Sequence, residues 1–350
     1  MDGTGGYTST WKIIPINPRT WQGSESIGGV KSVKVVNKAT DSVPKIQSGS
    51  MTVVLPSGER FKNGWYRLQM TAVDATGSAE LIDVATLLFE QANGNNNYDV
   101  ETVTVKGQSV LKPVEDKHMR FGSYIPKNTN GAQWCWNILN KSTPAPVVLD
   151  DESGFIIDRY YVFDSGTSCL KAVWKILDSA GWVLQIHGDG TIHILKKPKK
   201  SKMEIGRHNA KFIKPGIGYE EDIADVPNVY YARLNGRSAE ARNNDPGSIT
   251  SIVNRTYVKD VVETDPVPID GETLDHYVNR KLEEESTVYK YYDYTRDFNF
   301  NIMVFDNVYW NIPDVHTGLM RILEQTVVCD KGLSFEERCG EEIKLWQMER

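Results

Sequence analysis

The sequence has no run of about 18 apolar residues, so no membrane-spanning helix is expected. Cysteine is scarce. Cys135, Cys169, Cys329 and Cys339 form no C-x-x-C pair, and their separations suit no zinc site. Cys329 and Cys339 could face each other across a hairpin, but a reduced pair is expected in a chain made in the cytoplasm. Six histidines are scattered without an H-E-x-x-H or comparable set, which argues against a metalloenzyme. The opening residues Met1 to Gly6 lack a basic stretch followed by an apolar one, so no secretory signal is expected. Positive charge is also short, with 40 Lys+Arg against 46 Asp+Glu. Phosphate neutralisation supplies most of a nucleic-acid reader's affinity, so specific nucleic-acid binding is not expected.

What is present fits a globular chain: 350 residues, 40% hydrophobic and 25% charged, long enough for two or three domains. The charge is unevenly spread. Residues 1–113 carry 11 Lys+Arg against 10 Asp+Glu, and residues 114–200 carry 11 against 9. Residues 201–350 carry 18 against 27, so the acidity lies in the last third.

Residues 1–113 read as short strands between turns, a β-sandwich or barrel. Trp65–Asp74 places Tyr66, Leu68, Met70 and Ala72 on one face. Ala79–Glu90 fits a helix nearly as well as a buried strand, Asn93–Asn97 reads as a turn, and Asp99–Lys106 as a strand. Residues 114–197 change character. Ala132–Asn140 reads as a short helix with Trp134, Ile138 and Leu139 on one side. A clearer helix is capped by Thr167 or Ser168, carries Leu170, Val173, Trp174 and Leu177, and ends at Gly181. Trp182–Ile186 and Thr191–Leu195 then alternate around His187-Gly188-Asp189-Gly190, a strong hairpin signal.

Residues 198–227 read as a connection opened by the basic run Lys196-Lys197-Pro198-Lys199-Lys200-Ser201-Lys202. That run is a solvated linker or a docking strip for an acidic partner. From Asn228 to Arg350 the chain returns to β, with strands expected at Val229–Leu234, Ser251–Val262, Phe298–Phe305, Gly318–Cys329 and Ile343–Trp346. One helix interrupts them from Glu272 to about Glu285, with Asp270 as its expected cap and Leu274, Tyr277, Val278 and Leu282 buried.

No active site emerges, and no catalytic residue, metal ligand or cofactor is nominated. Glu283-Glu284-Glu285 point in different directions along a helix and read as a solvated face. Asp150-Asp151-Glu152 lacks the ligand spacing of a calcium loop. Gly3-Thr4-Gly5-Gly6 and Gly188-Asp189-Gly190 lack the strand, helix and Lys-Ser/Thr context of a phosphate loop. Gly166-Thr167-Ser168-Cys169 fails as a nucleophile elbow because Leu170 stands where glycine is required. Adjacent tyrosines on a strand put one ring on each face, so Tyr230, Tyr231, Tyr291 and Tyr292 are candidate partner contacts, with Lys196, Lys197, Lys199 and Lys200. Protein contact is favoured over sugar stacking.

The order of parts resembles the baseplate hub proteins of tailed phages and related contractile injection machines. The likeness is carried by Gly166–Lys196, by Ile223–Tyr230 entering the second β domain, and by Asn311–Leu345 as a terminal long hairpin. It implies a mixed α+β, β-rich chain: two tail-tube-like β-barrel or sandwich domains with a small α+β domain between them. It further implies a non-enzymatic homotrimer whose pseudo-sixfold ring joins a tail tube or distal tail protein to a central spike protein. Such a ring leaves a lumen for the tape-measure protein and DNA, in a virion assembled in the host cytoplasm. The acidic last third then either lines that channel or forms a soluble outer surface. A carbohydrate-binding or glycan-degrading tail protein and a peripheral receptor-binding adhesin are the alternatives.

Overall fold

The computed structural model describes residues 7–27, 30–39, 48–56, 61–74, 76–97, 100–157, 160–206, 216–221, 223–269, 271–296, 301–312, 315–329 and 333–346. The chain is mixed α+β and β-rich, built around one twelve-stranded sheet. Its main path runs through strands 7–16, 64–74, 79–97, 100–108, 48–56, 30–38, 316–329, 333–344, 287–296 and 218–221. The first six strands come from the N-terminal third and the last four from the C-terminal part. The two groups join edge to edge, Val33 opposite Cys329 through Lys38 opposite Glu324, and a Lys38–Glu324 ion pair of 2.8 Å closes the row.

Alternation explains why these segments are strands. Tyr66, Leu68, Met70 and Ala72 are buried as expected, between Arg67, Gln69 and Thr71 on the other face. They pack with Val33, Val35, Met51, Val53, Phe89, Val103 and Val105. Val327 and Phe335 of the C-terminal hairpin enter the same cluster, so the apolar core continues across the join. Ala79–Asn97, ambiguous in sequence, is one long strand that pairs with 64–74 in its first half and with 100–108 in its second. The turn expected at Asn93–Asn97 is therefore strand, because the ladder with Val100–Lys106 satisfies its backbone groups better than a local turn would.

The middle of the chain packs around helices α1 (Lys112–Asp116), α2 (Gly131–Asn140) and α3 (Cys169–Ser179). Helix α2 buries Ala132, Cys135 and Leu139, while Trp134 and Ile138 are half-buried beside them. Ser168 caps α3, its hydroxyl accepting from the Lys171 N–H, and Gly181 leaves it at φ +69. Trp182–Ile186 and Ile192–Lys196 form the expected hairpin, and Val147–Leu149 adds in parallel.

Four expectations for the last part need correction, the simplest being Ile343–Trp346, which is strand only to Lys344, the end of the hairpin strand Leu333–Lys344. The stretch read as a connection contains strands Ser201–Gly206 and Gly218–Glu221, which belong to the large sheet beside Asn307–Ile312 and Thr287–Arg296. The lysine run masks an alternation that buries Ile205. Ser251–Val262 is not one strand: Ser251 caps helix α4 (Ile252–Arg255), Thr256 at φ +60 ends it, and only Asp260–Thr264 is extended. Of Phe298–Phe305, residues 298–300 lie outside the described residues, Asn301–Phe305 contain no strand, and the strand is Asn307–Ile312. Val229–Leu234, Arg237–Arg242 and Asp260–Thr264 form a separate small sheet. Helix α5 (Leu274–Glu285) packs on it through Tyr277, Val278 and Leu282. Its cap is Thr273, whose hydroxyl accepts from the His276 N–H; the expected cap Asp270 lies outside the described residues.

Candidate functional site

Among the described residues no group of three His, Cys, Asp or Glu side chains could hold a metal. Cys339 sits opposite Ile322 and Cys329 opposite Leu333, so the two thiols do not face each other across the hairpin, and none of the four cysteines is in a disulfide. The polar chemistry of the molecule is concentrated instead where its parts meet.

The hairpin turn His187–Gly190 docks onto the first six strands. Trp21 Nε1 and Arg67 Nη2 both donate to the Asp189 carbonyl at 3.0 Å, and the Thr86 hydroxyl donates to the Gly188 carbonyl at 2.9 Å. Gly188 is pressed so closely to this sheet that a Cβ there would lie 1.7 Å from the Asp83 carbonyl oxygen. Behind the turn the rings of His187 and His193 stack at 3.9 Å, and His193 Nδ1 lies 2.8 Å from Asp150. Burial and the neighbouring His193 push the His187 pKa down, against the opposing pull of Asp189 and Asp150.

A second seam ties α3 to α5 and its sheet. The Tyr230 and Tyr277 hydroxyls both donate to Glu263 at 2.8 Å, and Lys175 of α3 lies 3.5 Å from the same carboxylate. Asp178 of α3 receives Lys197 at 3.4 Å and Lys281 at 3.5 Å. Burial alone would raise the Asp178 pKa; the two ammonium groups outweigh it and hold it below the usual value. Burial, then the Glu263 charge, drive both phenol pKa values upward, which keeps them as donors. Tyr277→Phe removes one hydrogen bond to a charged acceptor and is expected to cost about 1.5–3 kcal/mol, read from the urea midpoint.

A buried cluster built on an ion pair lies within the large sheet. Arg296 and Glu337, 2% and 3% exposed, make a two-pronged pair at 2.6 Å. Tyr294 donates to the same carboxylate at 2.6 Å and Gln325 at 2.7 Å, and the guanidinium stacks over Phe335. No sequence spacing marks this network, because its members meet only through strand register.

The partner contacts expected from sequence divide by exposure. Tyr230 and Tyr292 are each 4% exposed and lie inside the chain, while alternation leaves Tyr231 and Tyr291 half-exposed. In the basic run, Lys196 is matched by Asp151 at 2.6 Å, Lys197 by Asp178 and Lys202 by Asp306. Lys199 and Lys200 are exposed. The run is thus largely neutralised by its own chain. Asp151, bonded by Lys196 and Ser153, has its pKa lowered to about 2.

Exposed large apolar side chains were not foreseen by the sequence. One group lies at 249–262 (Ile249, Val253, Tyr257, Val258 and Val262), and another includes Phe121, Tyr124, Tyr160 and Val162.

No model of a known protein family and no curated protein matches the sequence. Solved structures do. A tail protein from Neisseria meningitidis MC58 superposes with a TM-score of 0.66 at 12% identity, over 96% of this chain and 97% of that one. The fold is that of phage tail proteins. The same fold occurs in the 43 kDa tail protein of prophage MuSo2 from Shewanella oneidensis, with a TM-score of 0.63 at 11% identity over 97% and 100% of the two chains. It extends to the E. coli c3393 protein, a component of the type VI secretion system, with a TM-score of 0.54 at 9% identity over 91% and 76%. The tail-protein fold thus covers both β regions and the helical middle of this chain.

Proposed function

We propose that the chain is a structural baseplate hub of a phage tail or related injection machine, acting as a homotrimer and without enzymatic activity. The observation that carries this reading is the single sheet that passes unbroken from the N-terminal to the C-terminal β region. A chain that already joins two β units edge to edge contains the contact that a ring repeats between copies. At the ends of its main path stand strands Tyr7–Ile16 and Gly218–Glu221, and a side branch ends at Ser201–Gly206; each has one partner strand among the described residues, and the outer side of Tyr7–Ile16 is partly bridged by its own chain at Gly23 and Ile27. Head-to-tail addition of copies at the two main-path edges closes a ring when the rotation fits and covers those two edges. Three copies present six β units, which lets the ring meet a sixfold tail tube or distal tail protein on one side and a threefold spike on the other.

The large sheet has one solvated face. Lys34, Lys38, Lys106 and Arg338 lie along it with Glu324, Glu336 and Asp293, mixed in sign and interspersed with Ser50, Thr52 and Thr295. A wall that mixes both signs retains DNA weakly, which suits a conduit for the tape-measure protein and genome. The likeness to tail proteins over 96% of the chain supports a place in the virion, with assembly in the host cytoplasm. The exposed apolar group at 249–262 supplies a second contact between copies. The test is the native mass of the purified chain, expected at three times the monomer. Val262→Asp with Val253→Asp is expected to lower the trimer fraction at least about tenfold while leaving the far-UV spectrum unchanged. A wild-type chain that stays monomeric at every concentration contradicts the reading.

A further inference from the structure

The middle of the chain presents a built aromatic surface on strands other than those assigned to ring closure. Arg120–Ser123 is a tight turn closed by the Ser123 N–H donating to the Arg120 carbonyl at 3.0 Å, with Gly122 at φ +77. Phe121 stands at its tip, 92% exposed. The chain then pairs Tyr124 with Val162 and Ile125 with Tyr161 in antiparallel register. Opposed residues share a face, so Tyr124 and Val162, both exposed, stand together. The Tyr160 ring lies 6.2 Å from that of Tyr124.

This surface is held from both sides. The Phe163 N–H donates to Ser123, the Met119 N–H to Thr167 and the Cys169 N–H to Lys117. Ile125, Tyr161 and Phe163 anchor the same two strands in the core. Rigid aromatic groups bind at low entropic cost, and Tyr and Phe are enriched in protein interfaces. The rim gives the sign of the partner. Arg120 and Lys127 are exposed and meet no carboxylate among the described residues, unlike Lys196, Lys197 and Lys202, which are all matched. The exposed Asp164 lies two residues beyond Val162 and offsets only part of that charge.

We propose that this surface docks an acidic segment of another protein, whose apolar side chains cover Phe121, Tyr124, Tyr160 and Val162 while its carboxylates meet Arg120 and Lys127. The docking surface stands or falls independently of trimer formation.

Fluorescence anisotropy tests this with the full chain and three probes: a labelled peptide alternating Leu or Phe with Glu, its counterpart with Lys in place of Glu, and phosphatidylserine-containing vesicles. The acidic peptide is expected to bind, to weaken with added salt, and to lose at least about tenfold in affinity with Phe121→Ser and with Arg120→Glu. Both positions are exposed, so the melting temperatures of the variants report whether the fold is retained; should one of them unfold, Lys127→Glu takes its place. No binding of the acidic peptide, equal binding of the lysine counterpart, affinity untouched by the substitutions, or preferential capture by vesicles would each overturn the proposal.

Discussion

Glu337→Ala is expected to destabilise the protein by about 3–5 kcal/mol, because it leaves Arg296 charged and buried with its carboxylate gone. Tyr294 and Gln325 lose their shared acceptor in the same step. Urea unfolding of the C-terminal β region measures the loss. Replacing both partners, Arg296→Met with Glu337→Leu, is expected to recover most of it, since two apolar groups need no desolvation. The pair also sets an acid limit. Burial alone would raise the Glu337 pKa, but the Arg296 charge and the hydrogen bonds of Arg296, Tyr294 and Gln325 hold it below the usual carboxylate value. A depressed folded pKa means the stabilisation is present above the unfolded value, about 4.3, and is lost as pH falls through the folded one. The wild type is therefore expected to lose stability over that acidic range more steeply than the double variant.

Gly188→Ala is expected to be nearly as damaging, although it adds one methyl group. Its Cβ would stand 1.7 Å from the Asp83 carbonyl oxygen, a backbone atom of a paired strand that cannot step aside. Either the hairpin lifts, losing the bonds from Trp21, Arg67 and Thr86, or the strand shifts. Overpacking of this kind costs about 1–3 kcal/mol, and the three bonds lost on undocking add to it. Hydrogen exchange reads the outcome directly: faster exchange is expected both at Trp182–Ile186 and along the strand at Asp83–Leu87. Unchanged exchange at both places would mean the hairpin does not join these parts.

The two differ in how far sequence reveals them. Gly188 stands in a readable turn, His187-Gly188-Asp189-Gly190, and the hairpin was legible from it; that the turn docks on Asp83 was not, because the partner lies about a hundred residues earlier. The same division runs through the fold. Helices α3 and α5 were legible because Leu170, Val173, Trp174 and Leu177, and Tyr277, Val278 and Leu282, repeat at helical spacing, a local property. Strands whose pairing is settled by distant neighbours were not. Asn93–Asn97 has the composition of a turn yet forms ladder bonds, and Ser201–Gly206 hides in a lysine run because its parallel partner is Asn307–Ile312. At the candidate surfaces, alternation alone showed that one tyrosine of each pair faces inward without showing which. Strand register decides that Tyr230 and Tyr292 are the buried members. The exposed group at 249–262 escaped notice because it spans a cap, a short helix and an edge strand rather than one periodic element.

The ring is the centre of the account, and imaging of the purified chain by electron microscopy tests it most directly. Closed particles of three copies with a central hole and six lobes are expected, in which the strand Tyr7–Ile16 of one copy neighbours Gly218–Glu221 of the next. Particles without a hole, or closed rings whose copies meet through other faces and leave both of these edges open to solvent, would contradict it.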